Sequence, residues 1–160
     1  MCSSDLEAVL SAPVPPVRLA RWEPRLRLYL EEQRHAPFAW GRNDCALFVA
    51  GAVAAMTGVD LAAAFRGGYS DARGAAAALK AHGAGTLRAT VTALLGPALH
   101  PARAMRGDVV ECRKALGLCT CGWFWMVGEN EHGARGLLRL PMTLAERIWR
   151  VPFPCSSGAG

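Results

Sequence analysis

Phe38-Ala39-Trp40-Gly41-Arg42-Asn43-Asp44-Cys45-Ala46-Leu47-Phe48-Val49 is the stretch that orders the rest of this 160-residue chain. Asn43 and Asp44 each offer a side-chain oxygen to the unpaired amides of a helix start. From Cys45 an apolar run continues to Thr57, and Gly58 follows as a left-handed stop. The Cys45 thiol therefore falls at a helix N-terminus. There, free N–H groups and the positive end of the helix dipole favour thiolate over thiol. Gly41 permits a tight approach just before it. Against this stands the plainer reading of Cys45 as a small buried residue, since free cysteines are usually inert core. Asp44 reads as the helix cap.

Outward from this segment the first half of the chain is helical. Glu23-Pro24 opens a helix that runs to about Gln33 or Arg34 and stops at His35-Ala36-Pro37. Ser70 or Asp71 caps a helix to about Ala81, and another covers about Thr86 to Leu95 before Gly96-Pro97. The second half alternates instead. Asp108 to Cys112 and Ala115 to Cys121 read as strands around an Arg113-Lys114 turn. Trp123 to Val127, Gly136 to Leu140 and Ile148 to Val151 extend the series. Helices followed by an antiparallel meander predict an α+β domain over residues 21–151. Residues 1–20, with Pro13, Pro15 and Pro16, read as an extended N-terminal arm, and residues 152–160 as a flexible tail.

Composition narrows the function classes. With 52% hydrophobic and 19% charged residues the chain can bury a core. The longest uncharged apolar run, Cys45 to Met56, is shorter than the roughly 18 residues of a spanning helix, so no membrane span is expected. Asp5 and Glu7 stand where an export signal carries positive charge. The net charge of +5 comes from arginines scattered between Arg18 and Arg150, with only Lys80 and Lys114 beside them. That pattern lacks the clustered, aromatic-interleaved footprint of nucleic-acid binding, which is not expected. Six cysteines without an export signal read as reduced thiols.

The Cys45 segment resembles the nucleophile motif of the NlpC-type cysteine peptidases, papain-like enzymes that cut the peptide stems of bacterial cell wall. Arg106-Gly107-Asp108-Val109-Val110 is similar to the Gly-Asp stretch that starts their sheet. A nearer resemblance is to a family of short phage and prophage proteins of unknown function, commonly encoded among tail genes. It rests on the Phe38 to Phe48 motif, Met56-Thr57-Gly58-Val59-Asp60-Leu61, Arg66-Gly67-Gly68-Tyr69, Gly136-Leu137-Leu138 and Trp149-Arg150-Val151. The resemblance implies a papain-like NlpC-type fold, with the N-terminal helices packed on the C-terminal sheet. It also implies a place at or near the tip of a phage-like tail, reached by assembly in the host bacterial cytoplasm. The implied partners are other tail or baseplate hub proteins, and peptidoglycan if Cys45 is active.

One departure bears on activity. The resemblance puts the catalytic histidine at Ala115 or Leu116, where this chain has none. A general base contributes ~10²–10⁴-fold to such chemistry. Its loss favours a structural or weakly catalytic component, with an active endopeptidase acting through Cys45 as the alternative. A thiol-based acyltransferase or deamidase on the same scaffold lacks the same base. Of the four histidines, His132 in Glu129-Asn130-Glu131-His132-Gly133 is the candidate substitute, although a hairpin loop residue is usually solvated. His35, His82 and His100 read as helix-end residues.

Two further groups carry weaker signals. Cys112, Cys119 and Cys121 invite a metal reading, but a two-residue turn at Arg113-Lys114 puts Cys119 roughly 13 Å along the strand from the partner of Cys112. That is too far for one tetrahedral ion with ~2.3 Å bonds. No metal and no cofactor are expected. Trp123-Phe124-Trp125-Met126 alternates faces in a strand, and is core if both faces are covered or a contact surface if one is bare.

Overall fold

The structure, a computed structural model, describes residues 14–155. Four helices precede five strands: α1 (Trp22–Gln33), α2 (Cys45–Thr57), α3 (Ala72–His82), α4 (Leu87–Leu95), then β1 (Val109–Cys112), β2 (Ala115–Thr120), β3 (Trp123–Glu129), β4 (Arg135–Pro141) and β5 (Arg147–Trp149). The α+β reading therefore holds. Of the expected arm and tail, residues 1–13 and 156–160 lie outside the described residues.

Local chemistry sets the helix ends. Asp44, Asp71 and Thr86 each accept a hydrogen bond from an amide of the first turn they cap, on Leu47, Gly74 and Ala89. Gly58, with φ of 79°, closes α2. This helix is apolar all round, and a helix of that kind is stable only when wrapped. Leu47, Phe48, Val49, Ala52, Val53 and Met56 are all buried. On one side α1 packs against it, with the Tyr29 hydroxyl donating to the Phe48 carbonyl at 2.8 Å. Gly51 makes that approach possible, because a Cβ there would lie 2.3 Å from the Tyr29 oxygen.

The sheet is antiparallel in the order β4-β3-β2-β1-β5. Arg113 and Lys114 form the β1–β2 turn with φ of 49° and 63°, the doubly left-handed geometry that matches strand twist. Cys112 pairs with Ala115 in consequence. β2 ends at Thr120 rather than Cys121, because Cys121-Gly122 is a two-residue loop between the paired Thr120 and Trp123, with Gly122 at φ 75°. β5 begins a residue early at Arg147, which pairs with Glu111. It ends before Arg150 because the Val151 and Pro152 carbonyls are taken by Arg18.

Both sheet faces are covered. Val109, Leu116, Leu118, Val127 and Trp149 meet the helices. Val110, Cys112, Cys119, Phe124 and Ile148 meet Leu99, Ala104, Met142 and Ala145 from the loops. In the aromatic strand Phe124 is fully buried, Trp125 packs on the helical core, and Trp123 is 41% exposed under the Arg139 guanidinium. One of its four residues is thus core, and Trp125 and Met126 are half-buried against the two clusters.

The segment before α1 does not stop at the surface. The amide of Leu19 donates to the Met56 carbonyl, and Arg18 is buried within the domain. Its guanidinium donates to the carboxylate of Asp108 at 3.0 Å and to the carbonyls of Val151 and Arg106. Arg150 donates to the other Asp108 oxygen at 2.9 Å. Removing one partner of a buried pair strands the other, at a cost of about 3–5 kcal/mol. Asp108→Ala is expected to lower unfolding stability by that amount in urea titrations. Arg34→Ala, which breaks the exposed Arg34–Glu31 pair, is expected to change it by less than about 1 kcal/mol.

Candidate functional site

The site is built at the start of α2. Asp44 is buried, and its carboxylate is fully engaged. One oxygen accepts from the Leu47 amide at 3.0 Å; the other accepts from the Gly41 amide at 3.0 Å and from the Tyr69 hydroxyl at 2.5 Å. The cap reading of Asp44 is right, and the same carboxylate also fixes Tyr69. Gly41 has to be glycine: its φ is 75°, and a Cβ would lie 2.0 Å from the Tyr69 carbonyl oxygen. The Gly41 carbonyl also accepts from the Gly67 amide at 2.8 Å. Trp40 packs edge-on to both Phe38 and Tyr69.

Cys45 is partly exposed, with its sulfur turned toward the sheet. The N–H groups of Leu116 on β2, of Ala46 and of Cys45 itself face the sulfur. These are the donors that a helix start supplies, yet the thiol is pushed up from its ordinary value rather than down. Burial is the larger effect, and the Asp44 carboxylate adds to it. Of the two readings of Cys45 this favours the buried, un-ionised thiol, because desolvation outweighs the N–H donors. Tyr69 is likewise raised, by burial and by its bond to Asp44, so its hydroxyl stays protonated as a donor.

Two spaces meet at Cys45. On one side is a groove of about 740 Å³ whose walls include Phe38, Ala115, Met126, Glu129 and Arg139. On the other is a cavity of about 580 Å³ between α2, α3, α4 and the sheet. Trp40, Asp44 and Cys45 line both.

No imidazole stands beside the sulfur among the described residues. Ala115, where the resemblance puts the base, lines the groove next to Cys45, and Leu116 is buried in the core. His132 lies in the β3–β4 hairpin, 83% exposed and 3.8 Å from the equally exposed Glu131. The groove lining includes Asn130 and Glu131 but not His132. His100 accepts from the Ala102 amide, and His82 packs edge-on to Phe65. Cys112 and Cys119 are buried in the cluster on the other face of the sheet, and Cys112 also lines the groove. Among the described residues no three His, Cys, Asp or Glu side chains cluster as metal ligands would.

Tyr69 and the Leu116 amide are the site groups that motif reading did not single out. Arg66-Gly67-Gly68-Tyr69 was visible as a shared stretch, but nothing in it tells that the tyrosine reaches back to Asp44.

A thiol held this way is slow to ionise. Iodoacetamide labelling read by mass spectrometry is expected to modify exposed Cys121 and Cys155 before Cys45 at neutral pH. The rate at Cys45 should climb only above the ~8.5 of a free thiol. Asp44→Asn removes a neighbouring negative charge and is expected to shift that profile to lower pH.

A family described as a domain of unknown function, DUF6950, matches residues 17–151, and the chain belongs to it. No curated protein and no solved structure matches the chain.

Proposed function

We propose that this member of the DUF6950 family is a component of the tail of a phage or phage-like particle, at or near its tip. Its fold is that of the papain-like NlpC cell-wall peptidases, retained as a structural part with little or no turnover. The tail assignment rests on the sequence resemblance. The assignment of low activity rests on one observation: Ala115, where the resemblance puts the base, lines the same groove as Cys45, and among the described residues no histidine lines that groove. The raised Cys45 thiol supports the same reading, since neither a neighbouring base nor a depressed pKa activates it. The groove then serves as a contact surface for another tail or baseplate protein.

A second reading has its own observation. The sulfur keeps the N–H groups of Leu116 and Ala46 around it and opens to a groove that a peptide stem can enter. In an active endopeptidase, the Cys45 thiolate, its proton lost to water, attacks the stem carbonyl while the helix-start amides hold the oxyanion. Collapse breaks the C–N bond, the stem amine leaves with a proton from water, and water then hydrolyses the Cys45 thioester.

The readings separate in two measurements. Purified particles are expected to contain the chain by mass spectrometry, and its deletion to leave tails incomplete. Muropeptides are expected to survive incubation with the wild-type protein. Ala115→His, which places an imidazole beside Cys45, is expected to raise any stem cleavage by ~10²-fold or more. Wild-type cleavage that Cys45→Ser abolishes would establish the peptidase instead.

A further inference from the structure

The cavity on the inner side of Cys45 is not used by either reading of the function above, and its lining is more apolar than that of the groove. Val53 of α2, Ala75 and Leu79 of α3, and Leu87, Val91 and Leu94 of α4 make its walls. The α3 helix contributes only small side chains along the Ala75 to Ala78 run, and this keeps the space open. Ala72 and Ala76 line the cavity and are exposed, so it reaches solvent along α3.

Three of the polar side chains at its wall are already engaged within the protein. Asp44 accepts from Gly41, Leu47 and Tyr69. The Thr90 hydroxyl donates to the Thr86 carbonyl at 2.6 Å and accepts from the Ala84 amide at 2.9 Å. A peptide or sugar placed between α2, α3 and α4 would lose more hydrogen bonds to water than these walls return. An unfilled space of this kind forfeits the dispersion contacts of every wall atom. The volume of about 580 Å³ lies in the range of small-molecule sites.

The charge at the Cys45 end completes the description. Lys114, on the β1–β2 turn, is the one cation among the lining residues. It is exposed, and it enters no ion pair among the described residues.

We propose that this cavity is a binding site for a single-chain fatty carboxylate, with the alkyl chain between α2, α3 and α4 and the carboxylate at Lys114. The apolar walls select the chain, and the ammonium selects the head.

Binding is read with cis-parinaric acid, whose fluorescence rises on entering an apolar site. Laurate, dodecanol and dodecyltrimethylammonium then compete for the site, sharing one chain and differing in the head. Laurate is expected to displace the probe best and the ammonium compound worst. Lys114→Glu is expected to weaken laurate several-fold and to improve the ammonium compound. Ala75→Leu, which fills the cavity, is expected to weaken all three, with the thermal midpoint showing that the variant is folded. No fluorescence rise with the wild-type protein would overturn the proposal. So would binding that Ala75→Leu leaves intact, or competition blind to the head group and to Lys114→Glu. Because the readout is binding, the result stands apart from any outcome with particles or muropeptides.

Discussion

Asp108 is where three distant parts of the chain are held in one place. Its carboxylate is wholly buried, a position that costs several kcal/mol unless opposite charge and hydrogen bonds surround it. Arg18 arrives from 90 residues away, Arg150 from 42, and the Met105 amide from the adjoining loop. The Arg18 guanidinium is also stacked against the rings of Trp22 and Phe153, at 4.3 and 4.0 Å. Burial lowers its pKa to about 10, with Asp108 opposing the shift, so it stays charged at neutral pH. Gly107 gives it room, since a Cβ there would sit 2.8 Å from both the guanidinium and the Met56 sulfur. Through this cluster the segment before α1, the start of β1 and the exit from β5 are fixed to one another. The β1–β5 edge of the sheet is thereby tied to the segment that leads into α1.

A second buried carboxylate, Glu111, works on the same edge. It accepts from Arg88 of α4 at 2.9 Å and pairs with Arg147 of β5. The Trp149 indole N–H donates to the Thr92 hydroxyl at 3.1 Å and adds a neutral bond between the same two elements. The helix that forms one wall of the apolar cavity is thus held to the sheet by polar contacts at its outer side. Its inner side is left free of them. That division explains how a large aliphatic space persists beside a well-packed core: α4 does not need to collapse onto α2 to be held in place.

What could be read from the chain and what could not divide by sequence distance. The α2 start, its Gly58 stop and the Arg113-Lys114 turn each depend on residues within a few positions, and caps and turns act at that range. The β2 boundary was misplaced by one residue because Cys121 looks like a strand residue until Gly122 is seen to turn the chain. The Tyr69–Asp44 bond spans 25 residues, and the Asp108 cluster spans more. No local pattern encodes either. The cavity was invisible for another reason: it exists where the alanines of α3 fail to fill space, and a pattern of apolar residues does not say whether they meet.

The raised thiol of Cys45 follows from the same packing. A helix N-terminus lowers a thiol pKa by offering N–H groups, but the benefit is counted against loss of water. In this chain α2 is the most enclosed of the helices, so its first residue is drawn against β2 and loses water on the sheet side. The Asp44 carboxylate that caps the helix then adds repulsion, since an aspartate cap brings negative charge to the very end whose positive potential would favour a thiolate. A serine or threonine cap would satisfy the same amide without that charge. The residue that makes α2 a well-formed helix is therefore one cause of the quiet thiol at its head. Activity at this position would need an added base as well as the helix start the sequence provides.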